Sequence, residues 1–297
     1  MKKEKKIGRI IRTLILTVGA IVMVSPVLWM VSTSFKHENQ VFRFPVEWIP
    51  SDPTIENYIR ALTEFNFMAW YFNTARNTIL IVVSTLIVSS MAGYAFAKLN
   101  FKGKNFIFLL YISALMIPAE VRIIPQFILY RNLGLTNTFW AVVLPWMLFT
   151  AFSIFFMRQA FMVVPDELIE AAKIDGCSPF GIYYKVCLPL VKNTCVSLAI
   201  LSFTWGWNDY LGPKVYISDI EKQVLSVGIA SFKTQYSNEY AMQMAGATLA
   251  LIPVVVVYLL GQKYFVEGIT SGGVQHHKLK EKMERNLFAG SFHCVKI

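Results

Sequence analysis

The sequence predicts an all-α polytopic membrane protein with six transmembrane helices. Three observations predict it: a surplus of apolar residues, long stretches without a charge, and a lopsided distribution of basic residues. Hydrophobic residues fill 55% of the 297 positions and charged residues only 15%, against roughly 25% charged in soluble domains. The mean hydropathy is +0.49. So few charges cannot cover a soluble globule of this apolar content. The same composition excludes intrinsic disorder. Four scattered cysteines exclude a disulfide-rich secreted domain.

A hydrocarbon core of about 30 Å takes about 20 apolar residues as helix. Residues 1–12 form a basic N-terminus, and the charge-free run 13–35 behind it is the first span. That run is too long for a removable signal peptide and has no small-x-small cleavage site, so it reads as an uncleaved signal anchor. The second span is 77–97, bounded by Arg76 and Lys98. The third covers about 105–121 and meets Glu120 near its end. The fourth, about 138–157, lies in the charge-free run before Arg158. The fifth, about 190–210, closes on Asp209, and the sixth is 240–262, between Glu239 and Lys263. Pro26, Pro118, Pro145 and Pro253 fall inside these runs. Each removes a backbone donor and tends to kink its helix. Static bends and helices curved around a pathway are both open readings.

Orientation follows from the basic residues of the short loops. With a cytoplasmic N-terminus, segments 1–12, 98–104, 158–192 and 263–297 lie inside and hold 19 of the 28 Lys and Arg. Both termini are therefore expected in the cytoplasm, in a multi-pass protein of the cytoplasmic (inner) membrane. The formal charge of +10 is thus a topology signal. No nucleic-acid partner is expected, because the cations are not gathered on one folded face.

Several kinds of chemistry are missing. No G-x-x-x-x-G-K-[ST] phosphate loop occurs, so the chain does not hydrolyse ATP by that route. No acid or base falls in mid-span, which disfavours an ion-coupled carrier. The four histidines make no H-E-x-x-H helix or Cys/His ligand set, so no metal is expected. Cys177, Cys187 and Cys195 read as reduced packing residues near the cytoplasmic side. No catalytic set assembles, and an enzyme is not expected.

One internal loop, 158–189, is long and patterned. Pro165 suits the first position of a helix, and Asp166, Glu167 and Glu170 suit the positive end of its dipole. Leu168, Ala171, Ala172 and Asp175 follow at helical spacing. Gly176 ends the helix in the left-handed region. Ser178 and Pro179 start a second helix as N-cap and first residue, and Pro189 is expected to stop it. Ala171 and Ala172 make a small-residue face that another backbone can approach. A plain surface hairpin is the alternative.

The text Glu170-Ala171-Ala172, Asp175-Gly176 and Leu188-Pro189 resembles the "EAA" loop of ABC importer permeases, the binding-protein-dependent inner-membrane components. It resembles in particular the carbohydrate-uptake branch, on the side of the maltose-type second permease subunit. Asn57-Tyr58, Tyr94-Ala95-Phe96-Ala97, Phe101-Lys102-Gly103, Ile124-Pro125, Leu133-Gly134-Leu135, Trp207-Asn208-Asp209 and Glu267-Gly268-Ile269-Thr270 carry it through residues 40–274. The tail 276–297 departs from the family and has no assigned role.

The resemblance implies a type I ABC importer permease fold, with 13–275 as the permease domain. It implies a second permease subunit as heterodimer partner, two copies of a cytoplasmic ATPase and an extracellular solute-binding protein. ATP with Mg is then hydrolysed by the partner ATPase, and this chain binds no cofactor. Glu170 would pair with a cation of the ATPase, Ala171 and Ala172 would permit close seating, and Asp175-Gly176 would make the turn. Trp205, Trp207, Asn208 and Asp209 are the candidate substrate residues, although tryptophan is also an ordinary interface anchor. The cargo is expected to be an oligosaccharide or other neutral sugar, with glycerol phosphates the alternative within the class.

Overall fold

The computed structural model describes residues 2–148, 150–232 and 239–263, and every regular element among them is helical. The expected tail 276–297 and the Glu267–Thr270 text lie outside these residues. The chain divides into two compact units.

The first unit comprises residues 1–71 and 225–252. It opens with helix α1, Lys2–Ser34, whose apolar part Gly8–Ser34 is long enough to cross a membrane. Pro26 leaves the carbonyl of Val22 without its helical donor, and the Ser25 hydroxyl donates to that carbonyl at 2.9 Å. That substitution keeps the helix continuous. The turn behind α1 is closed by buried polar groups. Lys36 is only 1% exposed. Its ammonium donates to the Glu47 carbonyl and lies 4.0 Å over the Trp29 ring. Asn57, on helix α2 (Glu56–Thr63), donates to the carbonyls of Ser34 and Lys36 at 2.9 and 2.8 Å. Helix α3, Phe67–Lys98, begins here. So does α13, Tyr240–Lys263. The Glu38 carboxylate accepts from the N–H groups of Tyr240 and Ala241 at 2.9 and 2.8 Å. It satisfies two of the four orphan donors at that helix start. The short helix α12, Leu225–Ala230, packs Gly228 beneath the buried Trp70 ring.

The second unit comprises residues 72–224 and 253–297. Besides the length of α3 it holds α4 (Lys104–Ser113), α5 (Ala119–Asn132), α6 (Phe139–Leu148), α7 (Ala151–Met162) and α8 (Asp166–Ile174). Next in the chain are α9 (Pro179–Leu190), α10 (Lys192–Trp207) and α11 (Leu211–Tyr216). Three helix pairs are bent: 100° between the α4 segment and α5, 40° between α6 and α7, and 79° between α9 and α10. The described chain therefore has three helices that cross by length and composition, or up to six if each bent pair is one span.

The expected span 105–121 is not one straight helix. It ends in a 3₁₀ turn at Met116, and α5 leaves at 100°. The cause is local. Pro118 supplies no donor, and it holds Ile117 at φ −90°, ψ 112°, outside the helical region. Behind it, Glu120 and Arg122 lie on a helix that hydropathy alone does not separate from the span. A smaller correction concerns the loop 158–189. Pro189 does not stop the second helix, which ends at Leu190. Its segment Ile182–Cys187 is π-helical, so Leu188 donates to the Tyr183 carbonyl before the donor-less proline. Cys187 and Cys195 are thiols.

Candidate functional site

The first candidate is the helix pair α8–α9. Asp166 and Glu167 stand in the first turn of α8, and Pro165 occupies the cap rather than the first helical position. At the other end the capping geometry is complete. Gly176 has φ +77°. Its N–H donates to the Lys173 carbonyl at 3.0 Å, and the Cys177 N–H reaches the Ala172 carbonyl at 2.9 Å. Those two bonds make a Schellman cap, which only a residue tolerant of positive φ can close. Ser178 Oγ then accepts from the Gly181 N–H at 3.1 Å, with Pro179 first in α9.

The inner faces of the pair build one apolar core. Leu168, Ile169 and Ala172 of α8 meet Ile182, Tyr183, Val186 and Cys187 of α9 in a cluster that also holds Tyr94, Met157 and Phe161. Two polar contacts fix it to the end of α3. Lys98 Nζ donates to the Val164 carbonyl and to Asp166 Oδ1, both at 2.6 Å. Ser90 Oγ and the Tyr183 hydroxyl share a buried hydrogen bond of 2.8 Å. The pair is thus mounted on its own chain and does not hang as a loose hairpin.

What the pair offers outward differs in part from the expected face. Glu170, Asp175 and Gly176 are exposed and Ala171 is half-buried. Ala172 is 0% exposed, packed into the chain's own core, so it is not available to seat another backbone. The outward apolar groups are Ile174, Phe180 and Tyr184, and sequence reasoning did not single them out. Nor did it single out Lys98, Ser90 and Tyr183 as clamps. Tyr94-Ala95-Phe96-Ala97 was the nearest signal, since it marks the same end of α3.

The second candidate is a cavity of about 520 Å³ between α5, α6 and the end of α10. Of the four residues expected to contact substrate, the structure places Trp205, Asn208 and Asp209 in its wall. Trp207 is turned away, buried and stacked on Phe203 at 5.4 Å. The cavity adds groups the sequence did not suggest: Glu120, Arg122 and Gln126 from α5 and Trp146 from α6. The Trp146 Nε1–H donates to Asp209 Oδ2 at 3.1 Å. The rings of Trp146 and Trp205 lie nearly parallel, 18° apart with centroids 6.3 Å distant. Phe152 meets Trp205 edge-on at 5.5 Å. Tyr216, also in the wall, donates to Gln126 Oε1 at 3.0 Å. The charged lining is two carboxylates against one guanidinium. Among the described residues no group of three His, Cys, Asp or Glu is placed to hold a metal.

Comparison with known proteins gives a consistent result. Residues 85–271 match the family described as "Binding-protein-dependent transport system inner membrane component". The chain is 38% identical over 268 residues to an arabinooligosaccharides transport system permease protein of Halalkalibacterium halodurans, covering 88% of this chain and 96% of that one. It is 30% identical over 280 residues to the sn-glycerol-3-phosphate transport system permease protein of Brucella abortus, covering 91% and 98%. Among solved structures it resembles a bacterial ABC transporter involved in the import of the acidic polysaccharide alginate. That likeness has a TM-score of 0.75 at 26% identity and covers 88% of this chain and 98% of that chain.

Proposed function

The chain belongs to the binding-protein-dependent transport inner membrane component family, and from that premise we propose that it is one of two permease subunits of an ATP-driven importer of an oligosaccharide or other neutral sugar. The second permease subunit, two cytoplasmic ATPases and an extracellular solute-binding protein complete the assembly in this reading. ATP with Mg is hydrolysed by the ATPase. The observation that carries the reading is the α8–α9 pair. It is capped on both sides of its elbow, clamped to the core through Lys98 and Tyr183, and presents Glu170 and Ile174 outward. Such a pair is stiff enough to pass force from a docked partner into the helices. The partner's seat then rests on Glu170, Ala171, Asp175, Gly176 and the exposed Ile174, and not on Ala172.

In the topology that accompanies this reading both termini are cytoplasmic. The bent pairs α4–α5 and α6–α7 each count as one crossing, and α10 alone is the fifth. Cysteine labelling tests it: positions 50 and 230 react from outside and 176 from inside. Labelling of 176 from outside intact cells refutes it.

The cavity wall supports neutral cargo, because two carboxylates against one guanidinium repel an anion. That favours a sugar over a glycerol phosphate, the cargo named for one relative. The test is ATPase activity of the reconstituted complex with its binding protein, compared across arabino-oligosaccharides, lactose and sn-glycerol 3-phosphate. Stimulation by the phosphate with no response to any sugar overturns the cargo and leaves the importer class intact. Glu170→Lys should weaken coupling, and normal transport by that variant makes the loop only a linker.

A further inference from the structure

We propose that this chain itself holds the travelling sugar, on a platform formed by Trp146 and Trp205 with Asp209, Gln126 and Arg122 as hydroxyl partners. The proposal deepens the sugar-import reading and rests on it.

The geometry separates a ligand platform from a membrane anchor. An anchoring tryptophan directs its N–H toward headgroups and water. Here the Trp146 N–H is spent on Asp209 within the protein, at 3.1 Å. That bond fixes the ring's tilt, and Phe152, edge-on, steadies Trp205. The two indoles are near-parallel, but centroids 6.3 Å apart leave no room for a ring between them. Both rings line the cavity and offer it apolar surface. The electron-rich face of an indole attracts positively polarised hydrogens, and the C–H face of a sugar ring presents a row of them.

The rim supplies what the edge of such a ring needs. Asp209 accepts hydrogen bonds and Arg122 donates them. Gln126 uses its oxygen for Tyr216, which leaves its amide nitrogen to donate. A sugar hydroxyl both donates and accepts, so this mixed rim satisfies it. A volume of about 520 Å³ falls within the roughly 300–1,000 Å³ of small-molecule sites. Glu120 and Asp209 together outnumber Arg122, so a phosphate or carboxylate is disfavoured.

The test uses the whole complex in proteoliposomes with saturating sugar-loaded binding protein, and reads sugar imported per ATP hydrolysed. A platform that captures the released sugar raises this ratio, and its loss lets sugar escape outward. An aromatic contact of this kind is worth about three- to tenfold in occupancy. Trp205→Ala should lower the ratio by that factor for whichever of arabino-oligosaccharide or lactose stimulates the unmutated complex. Trp205→Phe, which keeps an aromatic face, should recover most of it. Trp146→Phe and Asp209→Ala should each lower it, because they remove the donor or the acceptor of the bond that sets the platform. An unchanged ratio in Trp205→Ala, or equal losses in Trp205→Ala and Trp205→Phe, overturns the proposal. If Trp205→Ala does not assemble, Trp146→Phe and Asp209→Ala decide, and unchanged ratios in both overturn it. Failure of every sugar to stimulate the unmutated complex refutes the cargo reading instead, which keeps the two failures distinct.

Discussion

Replacing Gly176 isolates the backbone requirement of the α8–α9 elbow from every steric effect. The residue sits at φ +77°, and a Cβ added to it meets nothing within 4 Å. The cost of a side chain there is therefore conformational alone. For alanine it is about 1–2 kcal/mol, roughly a five- to thirtyfold shift toward the unformed elbow. Asparagine visits the left-handed region more readily and should cost less. Proline cannot take positive φ, and it also deletes the N–H that donates to Lys173. The expected order is Gly, Asn, Ala, Pro. The direct assay is native-state hydrogen exchange over residues 165–190 of the assembled complex. The reporter is the Cys177 amide, which donates to the Ala172 carbonyl. Its protection should fall five- to thirtyfold in Gly176→Ala, and transport per ATP should track the same order across the four residues. Unchanged protection in Gly176→Ala, together with normal transport by Gly176→Pro, refutes the argument that this elbow sets the geometry of the pair.

Contacts elsewhere lead to three further outcomes. A Cβ at Gly228 lies 2.0 Å from Trp70, whose ring is 1% exposed. Gly228→Ala should therefore destabilise by about 1–3 kcal/mol and lower the apparent melting temperature, and Trp70→Leu in the same chain should return part of the loss. Glu38→Ala removes the acceptor of two N–H groups at the start of α13. It should cost about 1 kcal/mol, with Glu38→Gln milder, read as increased amide exchange at Tyr240 and Ala241. Asn137 holds the N–H groups of Ser218 and Asp219 on its side-chain oxygen and the Asp219 carboxylate on its amide. Hydrogen bonds from Lys222 and then Asn137 keep the Asp219 carboxyl below its usual pKa. A carboxyl depressed in the folded state stabilises above its unfolded value near 4 and loses that contribution as pH falls through the folded one. Protection of the 216–219 loop should therefore drop on acidification, and not in Asp219→Asn.

Reading the chain as text succeeded where one local rule decides the structure. Gly176 after a run of helical spacing, and Ser178-Pro179 behind it, are cap signals that need no tertiary knowledge. Ala172 was misread because the motif names residue types without their direction. Leu168, Ile169 and Ala172 share one side of the helix, and two large apolar neighbours turn that side inward. Pro118 is visible in the text, but its consequence depends on the residues C-terminal to it. A proline inside an apolar run can merely kink a helix, whereas the one backed by Glu120 and Arg122 breaks it, and the next helix leaves at 100°. Trp146 carried no signal at all, because its significance is a bond to Asp209, 63 residues away. Asn57 was visible as part of a resemblance. Its work, holding two carbonyls at the end of α1, needed the fold.

The α8–α9 pair and the cavity meet on one element. Helix α10 starts one residue after α9, at the buried Val191, and ends at Trp207, beside Asn208 and Asp209 in the cavity wall. Its 16 residues span about 24 Å as α-helix. Near the loop end it buries Thr194, Ser197 and Leu198, and at the other end it carries Trp205. A partner moving α8–α9 therefore has a direct covalent route to the platform, through a single rigid helix with no loop in between. The 79° bend at Val191 turns a push along α9 largely into a sideways displacement of α10. Sideways motion at its far end acts on Trp205 directly and on Trp146 through its bond to Asp209. On the importer reading, ATP-driven motion in the cytoplasm thus acts first on the spacing of the two indoles that are proposed to carry the sugar.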